Sequence, residues 1–213
     1  MDPEYRRRRH TLSSVLRWIQ RLLFVLAISL LGYGAFVLTD AWMFQNREGR
    51  RLNRLIRQQP PADRARKGRA PGVSPPDVAT DDIIGRMVIP RLGMSVMIAE
   101  GVDRLTLRRA AGHIPGTALP GAPGNVAISG HRDTFFRPLR NIRSHDIITL
   151  TTPLGEYRYR VVSTRITGPS DIAVLRPGEK QTLTLITCYP FYFVGSAPRR
   201  YVVRAERVVA DSL

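Results

Sequence analysis

The chain has 213 residues, of which 43% are hydrophobic and 8% aromatic, which is enough for a packed domain and excludes wholesale disorder. Its 33 basic and 17 acidic side chains give a formal net charge of +16, but no zinc-ligand set, paired RNA-binding aromatics or basic zipper accompanies that charge. A cationic protein near anionic lipid or cell-wall polymer is therefore favoured over one that binds nucleic acid. The single cysteine, Cys188, excludes an intramolecular disulfide framework and any multi-cysteine metal site.

The first predicted element is a transmembrane signal anchor. Residues 22–39 are uncharged, and as a helix they would extend about 27 Å, close to the hydrocarbon thickness of a bilayer. Trp18 and Trp42 flank this run, where aromatic rings prefer the headgroup layer. A cleaved signal peptide is the alternative, but its apolar region would be shorter and followed by a small-residue cleavage site. The arginine-rich residues 1–21 predict a cytoplasmic tail and a large domain outside the membrane.

The next predicted segment, residues 40–81, joins the anchor to the large domain. A basic helix over residues 40–59 would either continue the membrane helix or lie on the lipid surface, with three apolar side chains on one side: Leu52, Leu55 and Ile56. Proline and arginine predominate from residue 60 to residue 81, which indicates a low-complexity linker. We predict no chemistry in this segment.

Residues 82–213 are predicted to be mainly β. Short β-branched runs alternate with glycine and proline turns, and the predicted strands are 86–90, 95–100, 125–129, 146–151, 156–162, 182–187 and 200–204. Many short, evenly spaced strands indicate a closed barrel or a sandwich. Helical turns are expected only near residues 105–110 and 138–142.

The side chains capable of chemistry lie at strand ends. His131 follows strand 125–129, and Cys188 directly follows strand 182–187. Arg199 and Arg200 lie at the start of the next strand. A barrel gathers strand ends at one rim, where a thiolate, an imidazolium and a guanidinium together suit acyl transfer. Taken singly, each residue has a structural alternative, such as packing for the thiol or a structural hydrogen bond for the imidazole.

Three stretches make the domain resemble the sortase family, and they are most similar to its class D members and their relatives. They are GRMVIPRLGMSVMIAEG (85–101), GHIPGTALPGAPGNVAISGHRDTFFRPL (112–139) and LTLITCYPF (183–191), followed by a final strand RRYVVRAERV. The resemblance covers roughly residues 82–210, in the same order throughout.

The resemblance implies an eight-stranded β-barrel and a cysteine transpeptidase. Such enzymes cut a sorting signal of the Leu-Pro-x-Thr-Gly or Leu-Pro-x-Thr-Ala type after the threonine, hold the acyl chain as a thioester and pass it to an amine. The expected partners are surface proteins with this signal, an amine acceptor on the envelope or another protein, and membrane lipid around residues 22–39.

The same resemblance implies roles for individual residues. Cys188 would be the nucleophile and His131 the general acid and base. Arg200 would stabilise the oxyanion, because alignment with the family's last strand favours it and side-chain alternation sends its rival Arg199 to the opposite face. We also expect substrate-binding contributions from Ser129, Asp133 and Thr187.

Other residues have competing interpretations. His145, next to Asp146, is interpreted as a turn histidine, and His113 lies in a family-like loop away from the catalytic position. No metal or other cofactor is expected: the sequence lacks the acidic cluster that would suggest calcium, and calcium dependence stays open only through three carboxylates that could meet in the fold, Glu100, Asp103 and Asp171. A non-enzymatic alternative is a membrane-tethered basic β-barrel that binds envelope polymer or a partner protein.

Overall fold

The computed structural model describes residues 3–58, 82–193 and 195–208, with side chains described from residue 16 onward. The predicted linker over residues 60–81 lies outside the described residues. Backbone contacts divide the chain into two compact units, residues 1–42 and 43–213.

The first unit consists of the helix α1 (Pro3–Gln58) up to residue 42. The predicted anchor, residues 22–39, lies within this helix, and nearly all of its apolar side chains are exposed. By length and composition the helix could cross a membrane. The sequence therefore predicted this element and its apolar character correctly.

In the second unit, the last four turns of α1 pack against the strands that follow. Gln45 Oε1 accepts from the Met97 backbone N–H at 2.8 Å, and Gln45 Nε2 donates to the Arg109 carbonyl at 2.7 Å. Leu52 is only 2% exposed, whereas Leu55 is 41% exposed. The helix continues to Gln58, and the side chains that it turns toward the strands include Gln45 and Leu52 but not Leu55.

Eight strands close into a barrel with the order β1-β2-β3-β4-β7-β8-β6-β5. The strands are β1 (Ile83–Ile89), β2 (Met94–Glu100), β3 (Ala111–His113), β4 (Asn125–Ser129), β5 (Ile147–Thr152), β6 (Gly155–Thr167), β7 (Thr182–Tyr189) and β8 (Arg199–Arg207). The connections contain a short helix, α2 (Arg104–Arg109), and three 3-10 helices: Pro90–Leu92, Arg137–Asn141 and Ile172–Leu175. The closed, mainly β barrel and the two expected helical turns are confirmed.

Alternation along the strands decides which side chains enter the barrel. On β4, β7 and β8 every second residue belongs to the buried core: Val126, Ile128, Leu183, Leu185, Val203 and Ala205. Because successive side chains point to opposite faces of a sheet, the residues between them project from the outer face. Cys188, three places after Leu185, is one of these. The site therefore has to be sought on the outside of the barrel.

Candidate active site

Cys188 lies directly across the antiparallel β7–β8 ladder from Arg200. Residues that face each other across such a ladder project from the same side of the sheet, so the thiol and the Arg200 guanidinium share the outer face. Arg199 pairs with Tyr189 instead, and its side chain starts from the opposite side. The Arg200 guanidinium donates to the Ala197 carbonyl at 3.2 Å, which directs it toward the start of β8.

His131 lies just past the end of the parallel β4–β7 ladder. Ser129 is level with Ile186, and beyond it the Gly130 N–H donates to the Ile186 carbonyl at 3.1 Å. Thr187 Oγ1 then donates to the Gly130 carbonyl at 2.7 Å. The ladder ends at Ser129, and His131 follows two residues later, on the side of β7 opposite β8. The thiol and the guanidinium thus lie on paired strand ends, and the imidazole follows the end of the strand on the other side of β7.

A tight turn follows His131 and fixes where its backbone lies. The Phe136 N–H donates to the His131 carbonyl at 3.1 Å, and the Phe136 ring packs over Gly130. A Cβ atom at Gly130 would lie 2.8 Å from that ring, so only glycine fits without displacement. The His131 imidazole itself is exposed and makes no hydrogen bond to any other described residue. The imidazole is therefore accessible to a bound molecule.

The three residues expected to bind substrate occupy different environments. Ser129 is half-buried on the outer face at the end of β4, and Asp133 is exposed within the turn that follows His131. Thr187 is 2% exposed, and its hydroxyl is engaged by Gly130. Thr187 is thus placed to hold the backbone that carries His131 rather than to touch a substrate.

Arg132, the residue after His131, joins the two loops that flank the site. Its guanidinium donates to the Pro190 carbonyl at 3.1 Å, the Phe193 carbonyl at 2.6 Å and the Gly195 carbonyl at 3.0 Å. These carbonyls belong to the β7–β8 loop (residues 190–193 and 195–198), which connects the strands of Cys188 and Arg200. The sequence analysis gave Arg132 no role, although it stands inside the family-like stretch 112–139.

A second arginine contacts the same loop. Arg140 Nη1 donates to the Tyr192 hydroxyl at 2.6 Å, and its guanidinium lies 5.4 Å from the centre of the Tyr192 ring. At the base of the loop, Phe191 packs edge-on against Tyr189 and Tyr201. The loop beside the thiol is therefore fixed by two guanidinium contacts and an aromatic cluster.

A cavity of about 110 Å³, called the first cavity below, lies beside Arg200 on the outer face. Ile186 and Val202 line it from β7 and β8, and the connection from residue 167 to residue 175 lines it from the other side. This connection contains the 3-10 helix Ile172–Leu175, which the sequence analysis did not predict. Its side chains make the cavity mostly apolar, as a site for aliphatic side chains requires.

The competing residues have structural roles. His113 is buried, with Nδ1 2.6 Å from Glu100 Oε2 and Nε2 3.0 Å from the Ala118 carbonyl oxygen. His145 occupies a turn, with a left-handed φ of 72°. The Arg91 guanidinium donates to the Asp146 carboxylate and holds the pKa of that carboxyl below its usual range.

The three carboxylates considered for calcium each form a hydrogen bond or an ion pair with a nearby residue. Glu100 pairs with His113, Asp103 accepts from the Leu105 N–H at the start of α2, and Asp171 accepts from the Ala173 N–H. Among the described residues, no group of three or more His, Cys, Asp or Glu side chains is arranged to hold a metal ion.

With this geometry established, comparison with known proteins identifies the family. The profile of the sortase domain matches residues 87–208, and the chain belongs to the sortase family. It is similar to Sortase D of Bacillus subtilis, with 36% identity over 130 residues that cover 61% of this chain and 66% of that protein. The match thus spans just under two thirds of that relative. The family and its class D similarity, expected from the motifs, are confirmed.

Solved structures agree with this assignment. Sortase A from Corynebacterium diphtheriae is 34% identical, with a TM-score of 0.57, and the match covers 62% of this chain and 64% of that one. A Clostridium perfringens Sortase D5 transpeptidase has a TM-score of 0.64 over 80% of this chain and 99% of that chain. At 24% identity, the second likeness shows a shared fold.

The contacts of Arg132 predict that it keeps the β7–β8 loop ordered. Replacing it in Arg132→Gln removes three hydrogen bonds, each typically worth about 1 kcal/mol. We expect amide hydrogen exchange of residues 191–193 and 195–197 to become at least about tenfold faster in the full-length protein, as measured by mass spectrometry. Arg137→Gln is the matched control, since the Arg137 side chain is exposed and makes no hydrogen bond to another described residue. Equal exchange in the two variants would show that the contacts of Arg132 do not order the loop.

Proposed function

We propose that the chain is a membrane-anchored cysteine transpeptidase that acts on proteins carrying a Leu-Pro-x-Thr-Gly-like sorting signal. The observation that supports this most directly is that Cys188 faces Arg200 across the β7–β8 ladder, while His131 follows the end of the β4–β7 ladder by two residues. Because the chain belongs to the sortase family, we assign to these three residues the roles of a cysteine transpeptidase.

The first half-reaction transfers the acyl chain to the enzyme. The Cys188 thiolate attacks the carbonyl carbon of the signal's threonine, and the carbonyl oxygen becomes an oxyanion beside the Arg200 guanidinium. When the tetrahedral intermediate collapses, the carbon–nitrogen bond breaks and the His131 imidazolium protonates the departing amine. The products are a thioester on Cys188, a neutral His131 and a free amine-terminated peptide.

The second half-reaction releases the acyl chain to an acceptor. A primary amine of the cell envelope or of another protein approaches the thioester, and neutral His131 takes the proton that the amine loses on attack. The carbon–sulfur bond then breaks, which restores the Cys188 thiolate and leaves a new amide bond. Arg200 stabilises the oxyanion a second time.

The first cavity is the proposed site for the acyl part of the signal. The departing amine has to lie near His131, on the β4 side of Cys188, so the acyl chain extends to the other side, over β7 and β8. Ile186 and Val202 lie there, together with the apolar residues of the β6–β7 connection. These surroundings suit the leucine and proline of the signal.

The proposed location follows from the N-terminal helix. Residues 22–39 anchor the chain in the membrane, the arginine-rich residues 1–21 stay in the cytoplasm, and the barrel acts outside the membrane. A membrane tether raises the effective concentration of a substrate held in the same membrane.

The nucleophile is tested by Cys188→Ala in the full-length protein in detergent. We expect cleavage of a Leu-Pro-x-Thr-Gly peptide to fall by at least about 10³-fold, because the thiolate forms the covalent intermediate. Trapping with hydroxylamine should yield the peptide hydroxamate with the unchanged protein alone. Ser196→Ala, which alters an exposed residue of the β7–β8 loop, is the control. Undiminished cleavage by Cys188→Ala would end the cysteine mechanism, whereas no cleavage by the unchanged protein would favour the non-enzymatic alternative, a basic β-barrel that binds envelope polymer or a partner protein.

The two adjacent arginines are distinguished by Arg200→Ala and Arg199→Ala. A guanidinium that acts on transition-state charge affects kcat more than KM, and loss of one such donor typically costs about 10²–10³-fold. We expect this loss in kcat/KM for Arg200→Ala and less than about tenfold for Arg199→Ala, because the β7–β8 register pairs Cys188 with Arg200. The opposite order would assign the oxyanion role to Arg199.

The orientation is tested with protease added to intact spheroplasts. We expect the barrel to be degraded while an epitope tag at the extreme N-terminus survives, because the basic tail is retained in the cytoplasm. Lysed spheroplasts, in which both ends are accessible, are the control. Survival of the barrel in intact spheroplasts together with loss of the tag would reverse the proposed orientation.

A further inference from the structure

A second cavity, of about 290 Å³, continues the first along the outer face of the barrel. Both cavities are lined by Val174 and Val202, so they adjoin. The second differs in character, because Arg165 and Arg204 line it, and Arg204 also donates from Nη2 to Thr182 Oγ1 at 3.5 Å. Two hydroxyl residues complete its lining: Ser163 and Thr184.

The strand registers give the distance between the second cavity and the thiol. Across β6, β8 and β7, one row at the strand ends consists of Thr167, Arg200 and Cys188. Thr184 precedes Cys188 by four residues on β7, and at its level the row on the same face consists of Ser163, Arg204 and Thr184. At about 3.3 Å per residue, the second row lies about 13 Å from the first.

A buried asparagine holds the wall that the two cavities share. Asn125 is 1% exposed, and its Nδ2 donates to the Val174 carbonyl at 3.0 Å. Its Oδ1 accepts from Thr184 Oγ1 at 2.7 Å. Since Val174 lies between the cavities, these bonds attach the wall to the barrel. The second cavity is thus a built feature of the fold.

The charge in the second cavity is uncompensated. No carboxylate lines it, and neither Arg165 nor Arg204 forms an ion pair with another described residue. Glu206, two places after Arg204 on the same face of β8, is 3.6 Å from Lys180. Two guanidinium groups without a partner carboxylate favour an anionic group, which arginine binds through paired N–H donors.

An extended substrate would reach this cavity with a defined part of its chain. With the threonine carbonyl at Cys188 and the acyl chain running past the first cavity along the outer face of β7 and β8, about 13 Å corresponds to four residues further back. The sorting motif therefore extends past the first cavity, and the one or two residues before its leucine lie beside Arg165 and Arg204.

We propose that the second cavity selects substrates with an acidic side chain one or two residues before the leucine of the sorting signal. This inference rests on the proposed function, because it assumes that the signal's threonine reacts with Cys188. It adds a specificity-determining subsite whose ligand is a carboxylate of the substrate polypeptide, bound by Arg165 and Arg204.

The test compares three peptides that differ only in the two residues before Leu-Pro-x-Thr-Gly: Glu-Glu, Gln-Gln and Lys-Lys. With the unchanged full-length protein in detergent, we expect kcat/KM for the Glu-Glu peptide to exceed that for the Gln-Gln peptide by about tenfold, mainly through KM. The advantage should shrink at high salt, which screens exposed charges. The Lys-Lys peptide should be the poorest of the three.

Variants assign the preference to the two arginines. We expect the ratio of Glu-Glu to Gln-Gln cleavage to fall to about one in the Arg165→Gln/Arg204→Gln double variant. In Arg165→Glu the order of the Glu-Glu and Lys-Lys peptides should reverse. Arg158→Gln, an exposed residue of the same strand outside both cavities, is the matched control and should keep the preference.

The outcomes separate this inference from the proposed function. Equal cleavage of all three peptides by the unchanged protein, or a preference that survives in the double variant, overturns the acidic subsite and leaves the transpeptidase proposal standing. If no peptide is cleaved by the unchanged protein and none binds to Cys188→Ala, the proposed function fails and the inference falls with it.

Discussion

The hydrogen bond from Thr187 Oγ1 to the Gly130 carbonyl sets the relation on which the site depends. This bond lies just beyond the last pair of the β4–β7 ladder, Ser129 and Ile186. It holds the chain beside β7 at Gly130, the residue before His131. On the other side of β7, the ordinary antiparallel ladder brings Arg200 opposite Cys188. Strand pairing thus sets Arg200 opposite the thiol, and the end of the neighbouring strand leads to His131, the other residue proposed to act with Cys188.

Arginine has a structural use in this protein beyond its contribution to the net charge. Arg132 and Arg140 attach the β7–β8 loop to the turn after His131, and Arg91 closes another turn through Asp146. A guanidinium can do this because it presents several donors in a fixed plane, whereas a lysine ammonium offers a single point of charge. Part of the basic composition therefore serves to anchor loops.

Sequence patterns predicted the parts of the structure that local rules determine. Strand β4 has the predicted bounds, and the alternation that separated Arg199 from Arg200 agrees with the observed register. Strand β3 was missed because three residues, Ala111–His113, are too few to show alternation. The role of Thr187 was also hidden, since its hydroxyl bonds a residue that is distant in sequence. The wall over residues 172–175 depends on Asn125, another long-range contact.

The segment of α1 in the second unit shows how one such contact extends the barrel. The parallel β2–β3 ladder begins only at Ile98, because β3 is so short. One residue earlier, the Met97 N–H is met by the side-chain amide of Gln45, which also donates to Arg109 at the end of α2. Gln45 thus forms hydrogen bonds with backbone groups at the place where a longer β3 strand would have continued the sheet. Since a buried N–H without a partner is costly, residues 43–58 complete the barrel at this point. The helix that leads from the anchor is for this reason a component of the domain that carries Cys188, although a predicted linker separates the two in sequence.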